Sequence, residues 1–181
     1  MPDAHAARSS DFADAIAMAE SFARGESDPV QALDSALASA ATADHVFISL
    51  SHERARREAQ ASAARWKAGQ PLSRLDGVPV AWKDLFDVAG SVTTAAAAVR
   101  RDVSPALLDA TAVALLSRSG LVCVGKANLS EFAYSGLGLN PHFGTPTNPH
   151  GLDQPRVAGG SSSGSAVAVA AGVVPIAMGT D

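Results

Sequence analysis

The run Gly77-Val78-Pro79-Val80-Ala81-Trp82-Lys83-Asp84 sets the architecture of this chain. It is short, apolar and bounded by turn formers, so it reads as a strand. Pro79 has no amide hydrogen to give a ladder, which assigns the run to a sheet edge or a strand start. Lys83 lies directly at its end. A lysine is ordinarily a solvated surface residue. Carried into a core by a strand, it is desolvated, its pKa falls, and a neutral amine becomes available to accept a proton near neutral pH.

On the N-terminal side of this run the pattern is helical and rich in alanine. Phe12, Ile16, Ala19 and Phe22 recur at spacings of three and four and form the apolar stripe of a first helix. Asp28-Pro29 reads as an N-cap followed by proline at the first helical position, opening a second helix through about residue 41. A third helix runs over about 51–68, with Trp66 and basic residues in its last turns and Gly69 as its stop. Residues 1–70 are therefore expected to form an N-terminal helical region that serves as scaffold.

On the C-terminal side strands alternate with helices. A helix over 109–119 stops at Gly120, a buried strand follows over 121–124, and a helix over about 165–171 precedes another short buried run over 173–178. Such alternation implies an α/β layered core. Residues 136–157, with Pro141, Pro146, Pro149 and Pro155, form a loop longer than is common inside a compact domain, and loops of that length are usually functional. No internal repeat is visible.

The 181 residues are 47% apolar, enough to bury a sizeable core. The net charge of −4 is spread along the chain, so nothing in it attracts nucleic acid or an anionic membrane. The single cysteine, Cys123, cannot form an internal disulfide; within Leu121-Val122-Cys123-Val124 it reads as a buried structural thiol in a reducing compartment. The stretch from Met1 to His5 lacks the basic-then-apolar layout of a secretory signal, and no apolar stretch approaches the roughly 20 residues that span a bilayer. A cytoplasmic protein is expected.

The sharpest local chemistry is Ala158-Gly159-Gly160-Ser161-Ser162-Ser163-Gly164-Ser165, which runs straight into an Ala/Val helix. Composition allows three readings: a flexible linker, a phosphate cradle, or a hydroxyl-bearing catalytic loop. An apolar helix and strand follow at once, which suits a linker poorly. A phosphate cradle would need lysine where Ser165 stands. A catalytic loop needs a base, because a serine hydroxyl is a poor nucleophile until its proton is taken. The histidines offer none: His5, His45 and His52 lie in or beside helical segments, and His142 and His150 lie in the proline-rich loop. There is no H-E-x-x-H or paired cysteine spacing, so no metal and no other cofactor is expected. Lys83 is the better candidate, Ser-Lys pairing being a variant of triad logic.

At this point the residues resemble a known family, the amidase signature enzymes. Residues 77–84, then Asp87-Val88-Ala89-Gly90 and Thr93-Thr94-Ala95, are similar to its lysine motif. Asp109-Ala110-Thr111-Ala112-Val113, Gly125-Lys126-Ala127-Asn128-Leu129-Ser130-Glu131-Phe132-Ala133 and Gly144-Thr145-Pro146-Thr147-Asn148-Pro149 look like its next blocks in order. Gly159 to Ser165 and Val174 to Asp181 follow, so the resemblance covers about 71–181 without a break. It implies an α/β fold, a layered core with a central mixed sheet flanked by helices, of which 71–181 would be the first part.

The resemblance also implies a Ser-Ser-Lys triad that hydrolyses carboxamides through an acyl-enzyme. Lys83 would be the base, and Ser161 the bridging serine whose peptide bond is cis. Ala158 stands where proline is frequent and Ser163 where glycine is frequent; neither carries a proton. In the family, the segment matching Gly179-Thr180-Asp181 leads into a turn whose serine is the nucleophile and whose amides form the oxyanion hole. The chain is expected to stop before that turn, to be inactive and poorly soluble by itself, and to need a complementing C-terminal piece; a homodimer is the other partner left open. The substrate would be a small-molecule amide. Two alternatives stand beside the amidase: the amidase-type component of a tRNA-dependent amidotransferase acting on glutamyl-tRNA(Gln) or aspartyl-tRNA(Asn), and a non-catalytic remnant or interaction fragment.

Overall fold

The computed structural model describes residues 14–151 and 154–181. Phe12 of the first apolar stripe, His5 and the leading residues lie outside them. Three helices come first: α1 (Ala15–Arg24), α2 (Pro29–Thr42) and α3 (His52–Lys67). Their ends follow local chemistry. The Asp14 carboxylate accepts the amides of Ile16 and Ala17, and that of Asp28 accepts those of Val30 and Gln31, satisfying donors that a helix start leaves free. Gly25, in the left-handed conformation at φ 69°, stops α1.

Between α2 and α3, inside the stretch read as helical, Phe47–Leu50 forms strand β1. It carries only four residues, and its pairing is irregular between Phe47 and Ser49. Phe47 and Ile48 favour an extended backbone, and the edge of β3 pairs with it. The sheet continues with β2 (Pro79–Lys83), β3 (Val122–Ala127) and β4 (Ile176–Met178), in the spatial order β1-β3-β2-β4. β2 runs parallel to β3 and to β4, whereas β1 is antiparallel to β3, so the sheet is mixed. Pro79 is the first residue of β2, and β2 lies inside the sheet. Of the two positions that tolerate proline, the structure uses the strand start.

Helix α4 (Thr111–Arg118) connects β2 to β3, and α5 (Ser163–Ala170) lies between β3 and β4. The two sheet faces bury different partners. Ala81, Val122, Val124 and Ala127 pack with Leu33, Ala36 and Ala40 of α2, Ala55 and Ala59 of α3, and Val167 and Ala168 of α5. Val80, Trp82 and Cys123 pack on the opposite face with Val113 and Leu116 of α4 and with Phe86. Small side chains on the first face let three helices approach closely. Gly164 is the extreme case: a Cβ there would run into the main chain of Asn128 and the Val46 carbonyl.

Polar groups tie these layers together. Arg54 of α3 donates to both carboxylate oxygens of Asp109 at 2.6 and 2.8 Å and to Glu58 at 2.8 Å. Glu58 in turn accepts the Cys123 amide at 2.7 Å, where β1 no longer covers the β3 edge. Asp76, fully buried just ahead of β2, takes two hydrogen bonds from Arg65 at 2.7 and 2.6 Å and one from the Leu72 amide at 2.8 Å. Burial acts to raise the Asp76 carboxyl, but the bonds from Arg65 and Leu72 outweigh it and hold the group below the usual carboxylate range.

Removing one member of a buried pair leaves the other uncompensated, so Asp76→Ala is expected to cost about 3 kcal/mol at pH 7. Because the folded carboxyl titrates below its unfolded value, the native carboxylate stabilises above that unfolded value, and the contribution fades as pH falls through the folded one. Urea midpoints of the two proteins should therefore converge in acid. A constant gap down to the lowest measurable pH would refute the charged role of Asp76.

Candidate active site

Parallel pairing places the ends of β2 and β3 side by side. Lys83, at the last position of β2, is fully buried, and its Nζ is 2.7 Å from Ser161 Oγ. Ser161 stands just before α5, and the Gly160–Ser161 peptide is cis, as the resemblance implied. The Ser161 carbonyl accepts the Ser130 amide at 3.0 Å, and the Gly160 amide donates to the Gly136 carbonyl at 2.8 Å. The Gly/Ser run is thus a packed turn and not a linker. The long loop that follows β3 is part of its support.

The serines of this run have separate fates. Ser162 Oγ donates to the Thr180 carbonyl at 2.9 Å and accepts the Thr180 amide at 3.1 Å, joining the start of α5 to the segment after β4. Ser165 donates to the Met178 carbonyl at 2.8 Å. Ser163 is fully buried inside α5. Only Ser161 reaches the lysine.

Lys83 has a second neighbour that sequence reading did not bring to it. Thr180 Oγ1 is 2.7 Å from Nζ and the Thr180 carbonyl is 3.4 Å away. A neutral amine has two N–H bonds and one lone pair. An amine that gives both N–H bonds to Thr180 keeps its lone pair for a hydroxyl such as that of Ser161. Burial pushes the Lys83 amine below the ordinary lysine value, and the negative charge of Asp181 opposes that shift without cancelling it. Thr180 was visible in the sequence only as part of its block. No spacing rule relates residue 180 to residue 83.

Among the described residues no histidine hydrogen-bonds Lys83 or Ser161. His142 lies 3.5 Å from Glu131, His45 lies 3.4 Å from Asp44, and neither approaches the lysine. No group of three metal-ligating side chains occurs among the described residues. The Cys123 thiol is buried, and burial together with nearby Glu58 pushes it up to about 11, which leaves it a structural group.

A buried strand-borne lysine hydrogen-bonded to a serine just ahead of a helix has the geometry of a Ser-Lys pair. The chain belongs to the Amidase family, whose model matches residues 29–181. It is 40% identical over 169 residues to AtzE, the 1-carboxybiuret hydrolase component of Pseudomonas sp. (strain ADP), covering 92% of this chain and 36% of that protein. It is 42% identical over 165 residues to the A component of the glutamyl-tRNA(Gln) amidotransferase of Roseiflexus sp. (strain RS-1), covering 90% and 33%. A solved structure of a vestigial protein complex that reveals the evolutionary origins of an s-triazine catabolic enzyme superposes with a TM-score of 0.88 at 39% identity, over 93% of this chain and 37% of that one. The chain thus spans about a third of the length of the curated relatives it matches. The α/β layered fold with a mixed sheet is that of these enzymes.

The depressed Lys83 pKa has a sign that can be tested. Below the folded value both states carry the ammonium, and the folded protein bears the full desolvation penalty. The penalty disappears as pH rises from the folded value to the unfolded one near 10.4. Lys83→Met is expected to be most stabilising, relative to the parent, below the folded value, and its advantage should shrink as pH rises towards the unfolded one. Denaturant midpoints measured against pH for both proteins check this, and a pH-independent difference would contradict it.

Proposed function

We propose that this chain supplies the base half of a serine amidohydrolase acting on small-molecule carboxamides, with Lys83 as base and Ser161 as bridging acid-base. The observation that carries the reading is the 2.7 Å contact between Lys83 Nζ and Ser161 Oγ in a chain of the Amidase family. Neutral Lys83 takes the Ser161 proton while Ser161 takes one from an attacking hydroxyl. That hydroxyl adds to the amide carbonyl carbon, and the oxyanion is held by backbone donors. The proton then returns through Ser161 to the leaving nitrogen as the C–N bond breaks. Water releases the acyl group as carboxylate by the same relay.

In this reading the attacking hydroxyl and the oxyanion donors come from the segment that continues from Gly179-Thr180-Asp181, supplied in one chain or as a complementing piece, and a homodimer is compatible with it. Residues 71–181 form the first part of the catalytic core, and 1–70 an N-terminal helical region that lends it β1. A cytoplasmic location is proposed; the lone buried Cys123 fits a reducing compartment, and no helix among the described residues is long and apolar enough to cross a membrane. A second reading, the amidase-type component of a glutamyl-tRNA amidotransferase, is favoured by 42% identity to such a protein. It uses the same Lys83 and Ser161 on glutamine.

In protein completed through that segment, Ser161→Ala and Lys83→Ala should each lower amide turnover by orders of magnitude, and the double variant should be little worse than either, because members of one relay do not lose activity additively. Residues 1–181 alone should show no turnover, since losing even one oxyanion donor costs about a hundred- to a thousandfold. A panel of simple amides, with glutamine and the C-terminal piece included, provides the assay. Turnover by residues 1–181 alone that vanishes in Ser161→Ala would make Ser161 itself the nucleophile.

A further inference from the structure

Two lysines are buried at the end of the sheet, and the relay uses only one. Lys126 of β3 is as inaccessible as Lys83, yet it turns the other way. Its Nζ lies 2.5 Å from Asp84 Oδ1, 3.1 Å from Thr93 Oγ1 and 3.5 Å from the Val92 carbonyl. The second Asp84 oxygen accepts the Thr94 amide at 2.9 Å and the Thr94 hydroxyl. Asp84 directly follows Lys83, and its main chain is held as well: its amide donates to the Ala127 carbonyl at 2.9 Å and its carbonyl accepts the Ala95 amide at 3.0 Å.

We infer that Lys126 is a positioning residue for the relay: it holds the Asp84 carboxylate on the far face of the sheet, so that Lys83 meets Ser161 without that counterion. The inference rests on reading Lys83 as the base. A fully buried carboxylate must find a cation, and two lysines end adjacent strands within one residue of register. Whichever lysine took Asp84 would be fixed as an ammonium and lost as a base. Register decides the matter. Trp82 pairs with Lys126 and Lys83 with Ala127, after an irregularity between Val80 and Ala81. Lys126 therefore emerges on the Trp82 face and Lys83 on the face of α5.

The surroundings leave this arrangement uncluttered. Lys83 faces Ser161, Thr180 and the charge of Asp181. Helix α5 and strand β4 bring no titratable side chain. Besides Lys126, the only titratable group of β3 is Cys123, on the opposite face. Helix α2 brings Asp34, which pairs with Arg56 at 2.7 Å. The Asp84–Lys126 pair is neutral as a unit, so its two fields at Lys83 largely cancel. Take away Lys126, and a buried negative charge is left next to the base.

The test reads the titration of Lys83 in two ways in the completed protein: as the acid limb of kcat/KM, where activity rises as the base loses its proton, and as the Lys83 side-chain resonances by heteronuclear NMR, assigned by their loss in Lys83→Met. Lys126→Met is expected to move both upward by on the order of one pH unit, with about tenfold lower kcat/KM well below the limb. Lys126→Met/Asp84→Asn, neutral again, should return both close to the parent, and Lys126→Arg should leave them in place. A structural role alone would lower activity without moving the titration, and the double variant would not restore it; either result overturns the inference. If Lys126→Met does not fold, Asp84→Asn is read instead: an uncompensated Lys126 should lower the titration, and an unmoved one overturns the inference. Should the NMR shifts appear in a protein that hydrolyses no amide, the amidohydrolase reading fails while the control of Lys83 by Lys126 stands.

Discussion

The site depends on the parallel pairing of β2 with β3 and on the one register irregularity within it. Val80 faces Cys123 and Ala81 faces Gly125, so Val124 is skipped. Side chains alternate along a strand with a period of two, and a skipped residue reverses which face its successors meet. Lys126 is thereby delivered to the Trp82 face, while Lys83 stays on the side of α5. Without the skip, the two lysines and the single carboxylate between them would be distributed differently across the sheet.

Burial of charge explains most of the polar architecture near this point. An ammonium without water or partner is too costly to keep charged, and it either pairs or loses its proton. Lys126 pairs, with Asp84. Lys83 is surrounded by hydroxyls and a carbonyl, which can hydrogen-bond either protonation state, and its pKa is lowered accordingly. Asp76 with Arg65 and Asp109 with Arg54 solve the same problem elsewhere by bidentate pairing. Those pairs join helices to loops. The pair at Asp84 lies beside the end of β2, next to Lys83.

Some of this was legible locally. The caps at Asp28 and Gly69, the proline at a strand start and the apolar run into Lys83 are properties of a few neighbouring residues, and the described elements follow them to within a few positions. The start of α5 is two residues earlier than periodicity placed it, and Gly164, in its first turn, lies directly against the main chain of Asn128. Strand β1 is absent from the helical reading of this region although Phe47 and Ile48 favour strands, because it is a four-residue run between two helices and its pairing with β3 spans segments distant in sequence. At the site, Lys83 and Ser161 stood out through their motifs. Thr180 and the Lys126–Asp84 pair did not, although all three residues lie inside the motif blocks.

The sequence by itself determined the element order, the α/β class and the family, because hydrophobic period, turn residues and ordered motif blocks are written along one dimension. It also marked Lys83 and Ser161 as a base and a hydroxyl. Only the tertiary structure decided that they meet at 2.7 Å, that Thr180 is the second hydrogen-bond partner of Lys83, and that Asp84 belongs to Lys126 and not to its sequence neighbour. Those outcomes depend on strand register and on which face a side chain leaves, and both are set by packing among segments distant in sequence, with no signature in the residues that carry the chemistry.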